Sequence, residues 1–213
     1  MGRDDNKREK LARIREAAAE LFTTRGFDET SVAEVAARAG VAKGTVFLYA
    51  ETKADLVALV FEERLRAVVA AALAELDLEQ PLARELTRVF ARFFDVYEPR
   101  PALARLFVRE LSFAGGNAAR VRDAVDRELL AGLAAHVEAR KARGEIAADV
   151  PSILVATNAF ALYLLALLGW LAGAAPTRAR AEEHLGTSLE LACRGLHLPA
   201  PRAPTPSTKR RKR

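Results

Sequence analysis

Along most of the chain apolar residues recur three and four positions apart, the repeat of an amphipathic helix, and the alternation expected of strands is almost absent. Leu11, Ile14, Ala18 and Leu21, with Phe22 beside them, make one face of a first helix. Asp4, Asp5 and Asn6 offer its caps and first-turn acids. Arg25-Gly26-Phe27 ends it, with Gly26 free to turn left-handed and Phe27 to fold back on Phe22. Ser31 and Glu34, three apart, form a capping box for a second helix, whose face is Val32, Val35, Ala36 and Ala39 and whose stop is Gly40. A short third helix is expected over residues 42–49, and a long fourth one from Lys53 to the break at residues 76–80. Further blocks follow at 82–97, 102–113, 117–143, 151–175 and 177–198, punctuated by Pro81, Pro99, Pro101, Gly115-Gly116 and Gly144. The pattern predicts an all-α protein of about nine helices.

Composition agrees: 51% of residues are hydrophobic and 7% aromatic. The 213 residues allow one or two domains. Net charge is +5, but residues 199–213 hold six basic groups and no acid, and without them 27 basic residues face 28 acidic ones. Overall basicity therefore does not argue for nucleic-acid binding, and any such case rests on local geometry. The lone Cys193 excludes an internal disulfide and reads as a small apolar side chain in a packed helix of a cytosolic protein. The charged start MGRDDNKREK does not read as a secretory signal. From Pro199 onward a Pro-rich and then basic segment is expected to be disordered.

Residues 32–51 have the make-up of a helix-turn-helix. Ala36 at the fifth position lets the second helix approach, Gly40 at the ninth supplies a positive φ, and Val46 at the fifteenth packs back on the first helix. Lys43, Gly44, Thr45, Phe47 and Leu48 are left to face outward. Alanine-rich helices mimic such a pattern by chance, so the flanks decide. The stretch GFDETSVAEVAARAGVAKGTVFLYAETKADLV resembles the N-terminal domain of the TetR (tetracycline repressor) family of transcriptional regulators. The shared features are a Gly-aromatic pair, a Thr/Ser cap, an AGV turn, a KGT helix start and a Thr-Lys-x-x-Leu exit.

That resemblance implies a recognition helix in a DNA major groove, with Lys43 and Thr45 near base edges or phosphates and Gly44 allowing close backbone approach. Lys53, at a helix N-terminus, would sit on one phosphate, Thr30 and Ser31 beside a second, and Tyr49 on the DNA backbone. The chain departs from the family at Phe47, usually Tyr, and at Ala50, usually Phe. The implied organisation is a DNA-binding domain over residues 1–52, an effector-binding and dimerisation domain over 53–198 and the tail over 199–213.

The remainder carries no catalytic or metal motif, and neither an enzyme nor a cofactor is expected. His136, His184 and His197 are scattered, as surface or helix-end residues would be, and Asp123, Asp126 and Glu128 read as a solvated helix face with arginine partners. Aromatic residues cluster at helical spacing. As the family implies an effector pocket between helices, Phe90, Phe94, Tyr97, Phe107, Asn158 and Tyr163 are its candidates, the effector being a small apolar or aromatic molecule. An ordinary helical core is the competing reading. Residues 153–175 are charge-free and long enough to span a bilayer. Thr157, Asn158 and the lack of flanking basic residues favour instead a helix buried on all sides, and no membrane partner is expected. The family's last two helices pair with their copies, which nominates Gly169, Ala172, Gly173, Leu185, Leu189 and Ala192 for a homodimer interface. The function so implied is a cytoplasmic repressor that binds a palindromic operator on double-stranded DNA as a homodimer and is released by its effector. The alternative is a helical small-molecule-binding or scaffold protein whose helix-turn-helix is only structural.

Overall fold

The computed structural model describes residues 3–112 and 115–196. Among them are nine α-helices: α1 Arg3–Thr24, α2 Val32–Ala39, α3 Lys43–Phe47, α4 Lys53–Ala74, α5 Leu82–Tyr97, α6 Pro101–Ser112, α7 Gly116–Ala142, α8 Ser152–Leu171 and α9 Arg178–Gly195. The expected basic tail at 199–213 lies outside the described residues. Asp4 and Asp5, expected as caps, lie within α1, and α3 is shorter than the expected 42–49.

Local chemistry accounts for the punctuation. Phe27 folds back on Phe22 with ring centroids 5.5 Å apart, over Gly26 at φ 94°. Both halves of the Ser31/Glu34 capping box form, at 3.2 Å and 2.9 Å. Gly40 ends α2 at φ 65°, and the amides of Gly40 and Val41 turn back to the carbonyls of Ala37 and Ala36. A second capping box opens α4: the Asp55 amide donates to the Thr52 hydroxyl, and the Asp55 carboxylate accepts the Thr52 and Glu51 amides at 2.9 Å and 3.0 Å. The same carboxylate accepts the amide of Ala118 at 2.7 Å, which hangs the first turn of α7 on the start of α4.

Packing gathers the helices around α4. It packs on α1, α5, α6 and α7, while α7 lies on α8 and α5 and α8 lie on α9. The buried apolar side chains form one continuous cluster from Ile14 to Cys193. Cys193 is part of it, and burial pushes its thiol up to about 11. Helix α8 differs from expectation. Val155, Ala159, Tyr163 and Leu167 face the core, but Ile153, Leu154, Leu164, Leu165 and Leu168 are exposed on the opposite face, so it is not buried on all sides. By length and composition alone it could cross a membrane, yet its inner face is committed to α7 and α9.

One buried ionic network ties the α4–α5 connection to the end of α7. Glu85, with no side-chain exposure, accepts from Arg140 at 2.5 Å and from His136 at 2.7 Å, and its other oxygen accepts the Asp77 amide. Arg140 also reaches Glu145 at 2.7 Å and the Gln80 carbonyl at 2.5 Å. His136 is thus part of an interior network, not a surface residue. Arg140→Ala strands a buried carboxylate, and should lower stability by about 3–5 kcal/mol, a fall of roughly 6–20 °C in thermal midpoint. Glu85→Gln combined with Arg140→Met removes both charges and should recover most of that loss in the same melting experiment.

Candidate nucleic-acid interface and ligand cavity

The α2–turn–α3 unit is built from inside outward. Val35, Ala36 and Ala39 of α2 and Val46 and Ala50 around α3 are at most 5% exposed and share one buried cluster with Ile14, Ala18 and Phe22 of α1, α2 packing on both α1 and α3. With Val46 fully inward, the opposite side of α3 has to face solvent. Lys43, Gly44, Phe47 and Leu48 are exposed there, Thr45 and Tyr49 are half-buried, and Ser31 is exposed at the start of α2.

Two expected phosphate neighbours sit differently. Thr30 is buried, with its hydroxyl donating to the Gly26 carbonyl at 2.7 Å, so it closes the α1–α2 turn and offers no hydroxyl to a surface. Lys53 is half-buried, its ammonium donating to the carbonyls of Phe27 and Asp28 at 2.8 Å and 3.1 Å and lying 4.7 Å from the Phe27 ring centre. Two of its three N–H groups hold the turn, which leaves one for an outside partner. Asp28, Glu29 and Glu51 share the cleft with Lys43 and Lys53, so charge on this face is mixed.

A cavity of about 290 Å³ lies among α4–α8. Tyr97, Phe107 and Tyr163 line it, as expected. Phe90 and Phe94 do not. They are fully buried behind Tyr163, Phe90 stacked on its ring at 4.8 Å and Phe94 edge-on at 5.9 Å. Asn158 is exposed on the outer side of α8, at a separate cleft with Leu154 and Ala192, and cannot anchor anything in the cavity. The rest of the wall is chiefly apolar, with Leu65, Phe93, Leu111, Val125, Phe160 and Leu167, and Glu62, Ser112, Arg122 and Asp126 are its polar members.

Its polar groups are few and converge. Tyr97 and Tyr163 lie deep inside, and burial holds both hydroxyls protonated, well above the ordinary phenol range. Asp126 also faces the cavity, contrary to its reading as a solvated residue, and burial pushes its carboxyl up to about 6 against the pull of Arg122. Arg122 itself pairs with Asp123 at 2.8 Å and donates to the Leu111 carbonyl, bridging α6 and α7 beside the cavity. No spacing rule singles out Asp126 within α7, because what buries it comes from other helices.

The nominated dimer residues divide. Leu185 and Leu189 are 1% exposed and belong to this chain's own core, where α9 meets α5, so they are withdrawn from a partner-facing surface. Gly169 is half-buried, and Ala172, Gly173 and Ala192 are exposed. The outward apolar surface of these two helices is made instead by Ile153, Leu154, Leu165 and Leu168 of α8 with Leu191 of α9, at 42–67% exposure.

Residues 14–60 match the family model described as bacterial regulatory proteins, tetR family. The fatty acid metabolism regulator protein of Bacillus subtilis (strain 168) is 37% identical over 59 residues, 28% of this chain. The match spans 30% of that relative's length. Solved structures resemble the whole fold. Thermus thermophilus FadR, a TetR family transcriptional repressor in complex with lauroyl-CoA, aligns with a TM-score of 0.70 at 24% identity over 92% of this chain and 99% of its own. Bacillus subtilis FadR in complex with stearoyl-CoA aligns with a TM-score of 0.68 at 21% identity over 87% and 99%. At these identities the likeness establishes the shared fold. Residues 14–60, the segment that carries α2, the turn and α3, thus match the model of the tetR family of bacterial regulatory proteins, and the described helices share the fold of the FadR structures.

Proposed function

We propose that this chain is a transcriptional repressor that binds a palindromic operator as a homodimer and lets go when a fatty acyl-CoA enters the cavity among α4–α8. The observation that carries the reading is the outward face of α3, held on a buried α1–α2 support within the family's matched segment. One such helix covers only a few base pairs, so a twofold pair reading a palindrome answers the need for specificity. Residues 1–52 would be the reading unit and 53–198 the unit that binds effector and partner, with its work done in the cytoplasm.

The acyl group suits the cavity. Its walls are chiefly apolar, its volume is close to the lower bound of the roughly 300–1,000 Å³ usual for ligand sites, and the FadR structures were solved with lauroyl-CoA and stearoyl-CoA. The shorter lauroyl chain is the better match to about 290 Å³. The homodimer would form on the exposed stripe of α8 and α9, where five large apolar side chains otherwise meet water.

In a gel shift with the DNA upstream of its own gene, the wild type should bind and micromolar lauroyl-CoA should release it. Replacing Lys43 and Thr45 together by Ala should cut affinity at least about tenfold, the loss of one good base contact, with an unchanged melting temperature. Ligand binding without any DNA binding would favour the small-molecule or scaffold alternative. Leu165→Glu puts a charge into the stripe and should yield a monomer by sedimentation, with operator affinity lost alongside.

The carboxyl of Asp126 keeps a proton in the folded chain between its ordinary value of 3.8 and about 6, where the unfolded chain has lost it. Its contribution to stability is therefore present in acid and disappears as pH rises through about 6. Asp126→Asn should raise the melting temperature at pH 7.5 and change it little near pH 4.

A further inference from the structure

Leu48 is 81% exposed, the most of any large apolar side chain among the described residues, and Phe47 beside it is 42% exposed. Neither belongs to the core or to the α8–α9 stripe. Their position on α3 is informative. Residues on an α-helix follow one another at 100°, and Val46 is completely buried, so the crest opposite it runs between Gly44 and Leu48. These two are one turn apart and share a face. Around Gly44 nothing approaches within 4 Å of where a Cβ would stand, which leaves the backbone bare beside the Leu48 side chain. Lys43 and Phe47 flank the crest on one side, the ammonium 5.7 Å from the ring centre, and the half-buried Thr45 lies on the other.

The crest therefore offers hydrogen-bonding groups only at its margins, and its centre is aliphatic. In a major groove most base-edge groups are polar, and the apolar feature is the C5 methyl of thymine. Leucine at the crest cannot satisfy a guanine or adenine edge, and burying it against one would leave that edge's acceptors unpaired. Phe47 lacks the hydroxyl that would turn it toward a phosphate. Mixed charge around the cleft at the base of α3 also leaves less of the affinity to ion pairing with phosphates.

We infer that Leu48, with Phe47 beside it, reads thymine methyl groups, so that methyl contact specifies part of each operator half-site. This rests on the DNA-binding reading proposed above. Removing one buried methyl should cost about fourfold in affinity, the ordinary worth of such a group.

The test begins with duplexes selected by the full-length protein from a random-sequence pool. The dissociation constant is then measured with each thymine replaced in turn by deoxyuridine, which deletes only the methyl. In the wild type, one or two positions per half-site should weaken about fourfold. With Leu48→Ala, or with Phe47→Ala at its own position, the penalty at those positions should shrink toward unity while the melting temperature stays that of the wild type. Because a deoxyuridine also changes duplex flexibility, the decisive quantity is the difference between wild type and variant at the same position. Equal binding of thymine and deoxyuridine duplexes by the wild type overturns the inference, and so does a penalty undiminished in both variants. A pool that yields no bound duplex overturns the DNA-binding reading itself, a different result from bound duplexes indifferent to the methyl.

Discussion

The carboxylate of Asp55 holds three parts of the chain at one point. It is 3% exposed, and burying it is tolerable because three backbone amides donate to it, from Glu51, Thr52 and Ala118. The first two belong to the turn that leaves α3. The third belongs to the first turn of α7, whose early amides have no partner within the helix and favour a negative group. Asp55 also caps α4 through Thr52. The placement of α3, the start of the central helix and the start of α7 thus depend on one side chain.

The consequence reaches the cavity. From Ala118, α7 proceeds within two turns to Val121, Arg122, Val125 and Asp126, all of which line the ligand space. A wall of the cavity and the support of the outward helix are therefore joined by hydrogen bonds, with no long lever between them. Lys53 adds a second tie, from the first residue of α4 to the carbonyls of the α1–α2 turn. A molecule that displaced the start of α7 would act on the Asp55 contacts directly. The opposite end of α7 is tied in turn to the α4–α5 connection through Arg140 and Glu85.

Much of the reading unit was legible because its determinants are local. The Ser31/Glu34 box, the left-handed Gly40 and the Phe22–Phe27 contact each involve residues within a few positions of one another, and short-range sterics and hydrogen bonding decide them. The misreadings share the opposite cause. Thr30 looked like a phosphate neighbour by position, but its hydroxyl found the Gly26 carbonyl once the turn closed. Asp126 looked solvated on its own helix, and side chains from α4, α5 and α8 bury it. Leu185 and Leu189 form an apolar stripe that suits a partner subunit or the same chain equally well, and the chain's own core took them. Asn158 shares α8 with Tyr163, but five positions of helical rotation turn it to the other side.

The order of amino acids, by itself, determined that the described chain is helical, roughly where most of its helices start and stop, and that Val46 and Ala36 face inward while Lys43 and Leu48 face out. These outcomes depend on backbone sterics, capping and a 3.6-residue repeat, all of which act over a single turn or two. Only the tertiary structure decided which apolar stripes meet each other, that a cavity remains between Tyr163 and α7, that α8 keeps one face in water, and that Asp55 and Ala118 join across 63 positions of sequence. Those depend on how helices far apart in the chain fill a common volume, and no local pattern records which stripe will be covered by which.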